Sequence, residues 1–205
     1  MGNESLTVNQ QERRKFLRRL GQTIGTCAAL SIASGMKLNY AFAYELRPDS
    51  ANRPGILFSQ PQMATLAKIA RVVLPKTDTP SGEDLDCHGF VDYQLTTCYS
   101  NENQLSLVEL VDVINVHSDH VYGKSFSDIS DKKAEDLLIK LESLDGFSRG
   151  DKARFTFLKE LIVFGYFTSK IGATEALNYL YVPGGFKGSI PYKEGDKAWG
   201  SFEYY

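Results

Sequence analysis

Phe155-Thr-Phe157-Leu158-Lys-Glu-Leu161-Ile162-Val163-Phe164-Gly165-Tyr166-Phe167 carries apolar or aromatic side chains around most of a helical circumference. Its spacing predicts a helix from about Asp151 to Lys170. A helix apolar all round is either central in its domain or covered by another chain. It is not a membrane span, because the uncharged run Leu161–Ser169 is far short of the roughly 20 residues required. Gly165 costs about 1 kcal/mol relative to Ala inside a helix, so a close approach to its backbone is expected.

On either side the pattern is also helical. Ser59 can cap a helix with Pro61 in its first turn, and Met63, Leu66, Ile69, Ala70 and Val73 recur at three- and four-residue steps until Pro75 ends it. A second helix is expected over about Gly89–Tyr99, with Phe90, Val91, Leu95 and Cys98 on its apolar side. Glu83, Asp84 and Asp86 precede it, where negative charge favours a helix N-terminus. A third runs from about Gln104 to Tyr122, with Leu107, Val108, Val111, Ile114 and Val121 inward and Gly123 as its stop. A fourth is capped by Ser130, buries Ala134, Leu137, Leu138, Leu141 and Leu144, and closes at Gly146. Beyond Gly172, Thr174 and Glu175 start a short helix to about Tyr181. No strand-like alternation appears. The fold class is all-α: a small irregular domain of five to six helices with an extended Gly- and aromatic-rich C-terminal tail. Tyr44–Phe58, with Pro48, Pro54 and Gly55, reads as an extended arm.

The first 43 of the 205 residues read differently. Arg13-Arg14-Lys15-Phe16-Leu17-Arg18 is followed by a weakly apolar run from Leu20 to Met36, then Lys37 and Ala41-Phe42-Ala43. A basic segment, an apolar segment and a small-x-small site make a removable export signal. Paired arginines with Phe16 and Leu17 behind them are the twin-arginine variety, whose route carries folded proteins. The run of about 17 residues could instead be a retained anchor, at the lower limit for spanning a bilayer, and Cys27 could suggest lipidation, although Thr26 precedes it where a smaller residue is expected. Residues 1–43 are therefore expected to be a leader cut after Ala43, and 44–205 a single helical domain in the periplasm. Removing the leader leaves 17 basic and 23 acidic residues. This acidic balance gives no basic patch for nucleic acid.

Chemistry-bearing groups are sparse. His117-Ser-Asp-His120 puts two histidines on one helix face, and with Asp112 or Asp119 they could ligate a metal; solvated polar residues are the alternative. Asp78, Glu83, Asp84 and Asp86 could bind calcium, but their spacing is not that of an EF-hand, and a solvated acidic loop is the alternative. Asp84-Leu-Asp-Cys87-His88 lacks the first cysteine of a haem-attachment motif. Cys87 and Cys98 cannot alone supply the thiolates of a usual iron–sulfur cluster. In an oxidising compartment they could pair with each other or with a partner chain, or stay free. If both lie on one helix they stand about 16 Å apart at 1.5 Å per residue, beyond the roughly 7 Å limit for a bridge. The glycines at 184, 185 and 188 open no helix after a strand, so a dinucleotide site is unsupported, and no nucleophile triad is patterned. The tail aromatics Phe186, Tyr192, Trp199, Phe202, Tyr204 and Tyr205 suit a protein interface.

The run Phe157-Leu-Lys-Glu-Leu-Ile-Val-Phe-Gly-Tyr-Phe-Thr-Ser-Lys-Ile-Gly-Ala-Thr-Glu-Ala-Leu-Asn-Tyr-Leu-Tyr-Val-Pro-Gly184, continuing through Gly185–Pro191 and Ala198-Trp199, resembles the gluconate 2-dehydrogenase subunit 3 family. Weaker likenesses lie in Val72–Pro80 and Tyr122–Phe126. The resemblance implies a small, non-catalytic gamma subunit of a periplasmic dehydrogenase for sugars or sugar acids. Its large subunit, a flavoprotein of the glucose–methanol–choline type, would carry FAD and the catalytic residues, and a multi-haem cytochrome c would take the electrons onward as haem c carrier. The small subunit would hold no cofactor or metal, and would help the large one mature and cross the membrane through the twin-arginine translocase. Gly165, Tyr166, Phe167, Phe186, Tyr192 and Trp199 are the expected partner-facing residues. The competing expectation is a stand-alone metal-binding protein or enzyme using His117 and His120.

Overall fold

Short polar side chains at the helix starts hold the first turns, and the positions of those caps fix the element order. The computed structural model describes residues 44–47, 49–179, 189, 191 and 193–199, all within the unit that runs from Tyr44 to Tyr205. The expected leader residues Arg13, Arg14, Phe16, Leu17, Ala41 and Ala43 lie outside the described residues, as do Phe186 and Tyr192. Among the described residues there are five α-helices: α1 (Gln60–Val73), α2 (Cys87–Cys98), α3 (Asn101–Tyr122), α4 (Asp131–Ser143) and α5 (Arg149–Thr168).

α1 begins behind Ser59, whose backbone N–H donates to the Gln62 side chain at 2.9 Å, and it ends at Val73, two residues before Pro75. α3 and α4 are capped by Ser100 and Ser130, which accept the Asn103 and Lys133 amides. α5 is capped by Ser148, which exchanges bonds with Asp151 at 3.0 and 3.1 Å. These caps satisfy amides that have no partner inside the helix. α2 and α3 start two and three residues earlier than the apolar pattern suggests, because polar caps lie outside an apolar stripe.

The stripes of α1, α3, α4 and α5 meet in one core. Met63, Leu66 and Ile69 of α1, Leu107, Leu110 and Ile114 of α3, Leu137 and Leu141 of α4, and Phe155 and Leu158 of α5 are almost wholly removed from solvent. α5 packs against α2, α3 and α4, so it is central on one face. Its opposite face is left open by the described residues: Phe164 is 53% and Val163 38% exposed.

Three helix ends depart from the sequence reading. Val121, expected inward, is exposed. The last inward position of α3 belongs to Ser118, whose hydroxyl donates to the Lys124 carbonyl at 2.9 Å. Leu144, expected in the α4 stripe, is instead the left-handed C-cap, with φ of 64°. The helix expected over Thr174–Tyr181 is a π-helical turn, Gly172–Ala176, followed by extended Leu177. There Ser169 breaks the chain after α5 and accepts the Gly172 amide at 3.0 Å. A Cβ on Gly172 would overlap the Tyr166 carbonyl oxygen, so the turn needs glycine. Asn178 and Trp199 then make an isolated parallel bridge, with the Asn178 amide donating to the Ala198 carbonyl at 2.7 Å.

Candidate functional site

The arm ahead of α1 is fastened to α2 by two buried aspartates. Asp86, left-handed at φ 53°, caps α2 by accepting the Gly89 amide. Its carboxylate also accepts the Tyr44 and Ser50 hydroxyls and the Arg47 amide, the last at 2.7 Å. One turn and a half further on, Asp92 accepts three successive backbone amides, from Ile56, Leu57 and Phe58, at 2.6, 2.9 and 3.1 Å. A run of N–H groups around one carboxylate is a backbone anion nest. A Cβ on Gly55 would fall within 2.6 Å of that carboxylate, so glycine opens the nest.

Ser50 also meets His88 Nε2 at 2.7 Å. The Ser50 hydroxyl donates to Asp86, so it accepts from His88 Nε2–H. His88 Nδ1 is buried with no hydrogen-bond partner. Burial pushes the His88 pKa below its usual 6.5, against the opposing pull of Asp86. Burial, then the bond to Asp86, push the Tyr44 hydroxyl well above its ordinary value. The cluster of Ser50, His88 and Asp86 is closed to solvent, so it is structural rather than a place for substrate.

The arm also builds an aromatic ridge. The Tyr44 ring lies 5.8 Å from Phe90 and 5.6 Å from Tyr93, and Phe90 lies 5.9 Å from Phe164 of α5. Such spacings are those of attractive edge-on and tilted ring pairs. Phe90 can approach α5 because Gly165 lies beneath it; a Cβ there would come within 2.5 Å of the ring. Gly165 is thus turned inward, which corrects its expected place at a partner interface. Tyr166 needs the same correction. It is 4% exposed, its hydroxyl donates to the Pro80 carbonyl at 2.9 Å and its partner Thr79 lies at 2.8 Å. Phe167 is half-buried against the Tyr166 ring. Trp199 remains 47% exposed. Phe164 and Val163, absent from the expected interface set, are the exposed large apolar side chains of this helix.

The other sequence candidates separate. His117 stacks on Phe147 at 4.1 Å while His120 is exposed, so the two rings have different surroundings. The four carboxylates of the 78–86 loop also diverge. Glu83 pairs with Arg71 at 3.2 Å, and Asp84 accepts the Ser81 amide at 3.0 Å, which holds its pKa below the usual carboxylate value. Asp86 is buried, not solvated as expected. Among the described residues no group of three or more His, Cys, Asp or Glu is placed to hold a metal ion. Nor is any described helix long and apolar enough to cross a membrane. Cys87 and Cys98 stand at opposite ends of α2 and are both free, so the helix keeps them from pairing with each other. Cys87 is buried and its thiol is pushed up to about 12; Cys98, expected on the apolar side, is exposed.

The sequence reading missed Asp92, and also Tyr44 and Ser50 as partners of Asp86. The available signal was an aspartate beside Val91 and within reach of Leu95 on the apolar side of α2, where a charge survives only if it is paired. The model of the family described as gluconate 2-dehydrogenase subunit 3 matches residues 60–184. No curated protein and no solved structure matches the chain.

Proposed function

Because the chain belongs to the gluconate 2-dehydrogenase subunit 3 family, and so to the subunits of multi-subunit dehydrogenases, we propose that it is the non-catalytic small subunit of a periplasmic complex that oxidises sugars or sugar acids. Its partner is a flavoprotein of the glucose–methanol–choline type, which holds FAD and performs the oxidation. A multi-haem cytochrome c takes the electrons onward. The small subunit stabilises the folded flavoprotein and brings it across the membrane through the twin-arginine signal centred on Arg13 and Arg14.

The observation that carries this reading is the family match over most of the helical domain. The sequence before Tyr44 supports the export role, since a leader for folded cargo suits a subunit that travels with a cofactor-loaded partner. The exposed Phe164 ring, beside half-buried Phe90, supports contact with another protein, because aromatic side chains are enriched in interface cores.

Co-expression of the full chain with its flavoprotein tests the proposal. Changing Arg13 and Arg14 together to Lys is expected to leave the flavin-loaded partner in the cytoplasm, while the native chain delivers it to the periplasm. Export of the partner in the doubly changed strain, or in the absence of this chain, would overturn the escort role.

A further inference from the structure

We propose that the turn Ser50–Asn52 is an acid-released clasp, closed over His88 while that ring is neutral and lifted when the ring takes a second proton. The turn is a single 3-10 turn packed on α1 and α2, and Ser50 and His88 are both buried. The Ser50 hydroxyl links the ring to Asp86. It accepts from His88 Nε2–H at 2.7 Å and donates to the carboxylate. The other ring nitrogen, Nδ1, is buried and has no partner among the described residues.

The neutral ring suits this place and the charged ring does not. A second proton puts an N–H on Nδ1 where nothing accepts it, and a buried donor without a partner is costly. It also puts a positive charge on the second residue of α2, where the helix dipole opposes it. Asp86 pulls the other way, its Oδ1 standing 3.4 Å from Nε2. Burial outweighs that pull and holds the His88 pKa below its usual 6.5. Among the described residues no other charge acts on the ring from α1, α3, α5 or the turn, the elements packed on α2. Asp49 and Arg53, on either side of the turn, pair with each other, and Asp92 is engaged by its three amides.

Lifting the turn takes Ser50 away from Nε2 and gives the ring water, while the Asp92 nest holds the chain just beyond it. Local openings of this kind cost less than global unfolding. The opened ring takes its proton near the ordinary value of about 6.5, and the closed ring only at lower pH. Closure is therefore fully favoured above that value and is lost as the pH falls below it, by at most about tenfold per unit.

Native-state hydrogen exchange on the purified full chain reads the opening at the Ser50 amide, which donates to the Arg47 carbonyl at 3.1 Å. After correction for the intrinsic rate, its protection should fall about tenfold between pH 7.5 and 5.5, and should stay below that of the core amide of Leu110 throughout. His88→Gln keeps a donor toward Ser50 but takes no proton, and should hold the protection constant over the same range. Ser50→Ala removes the link at every pH, and should speed exchange at position 50 by about tenfold already at pH 7.5. Constant protection in the native chain would overturn the clasp. So would a fall that persists in the Gln variant, which would place the titrating group elsewhere. Ser50 protection equal to that of Leu110 would mean that the turn opens only with the whole fold, and unchanged exchange in the Ala variant would mean that the hydroxyl does not hold it. Either result overturns the proposal.

Discussion

Asp92 occupies the space that a side chain on Gly55 would fill: a Cβ there would come within 2.6 Å of the carboxylate. The same carboxylate takes the amides of Ile56, Leu57 and Phe58, so a buried charge, a glycine and a three-residue nest form one unit. Each part needs the others, since an unpaired buried carboxylate, or an unpaired amide at buried Phe58, would be costly.

Replacing Asp92 with Ala is therefore expected to lower unfolding stability by about 3 kcal/mol or more, since bonds to a charged group contribute roughly 1.5–3 kcal/mol each and do not add fully. Asp92→Asn keeps an acceptor oxygen and should recover part of the loss. Urea denaturation measures both. Equal stability of the Ala variant and the native chain would mean that the nest contributes nothing.

The buried His88 makes stability fall on the acid side. Its pKa is lower in the fold than in the unfolded chain, so just below about pH 6.5 the unfolded state binds a proton that the native state refuses. Stability then falls with decreasing pH, by at most about 1.4 kcal/mol per unit for one proton. Asp131, whose pKa is lowered first by its bond to Lys68, acts in the same direction but only at more acid pH, as its carboxylate is protonated. Denaturation midpoints between pH 5 and 8 should show the slope, and His88→Gln should flatten it. An unchanged slope in the Gln variant would assign it elsewhere.

Thiol chemistry should separate the two cysteines of α2. Cys98 is exposed and should react with a maleimide in the native protein within minutes. Cys87 is buried with its thiol pushed up to about 12, and the thiolate is the reactive form. It should react only after unfolding. Peptide mapping of labelled full-length chain distinguishes them.

How much of this was legible in the sequence depends on the range of the interaction. α1 and α4 could be read from Ser59, Pro75, Ser130 and their apolar steps, because caps and stripes act within a few residues. Asp86 and Asp92 could not be placed, because their partners lie 34 to 42 residues earlier in an arm without periodicity. A run of acidic residues looks the same whether water or backbone amides surround it. Gly165 and Tyr166 were legible as special and misassigned for a related reason. Periodicity shows that a face is apolar, whereas Phe90 and Pro80, the neighbours that use it, are distant in sequence. The Tyr166–Pro80 bond joins two of the stretches that carry the family likeness, Val72–Pro80 and the run that begins at Phe157, which sequence alone left as separate matches.

Phe164 offers the sharpest division between folding and association. Its ring is 53% exposed and touches the rest of the ridge through Phe90 at 5.9 Å. Phe164→Glu should cost no more than the ring pair, about 1 kcal/mol, whereas Phe155→Ala, in the core at 2% exposure, should cost about 3–5 kcal/mol. At an interface the order reverses. A carboxylate buried against an apolar partner loses its hydration without a counter-charge, and an aromatic anchor is the residue type on which binding energy concentrates. If the proposed flavoprotein docks on this face, Phe164→Glu should therefore fold normally and bind it at least tenfold more weakly. Thermal denaturation of the isolated chain and co-purification of the complex read the two effects separately. Full retention of the partner by the Glu variant would move the docking face away from α5, toward the exposed Trp199.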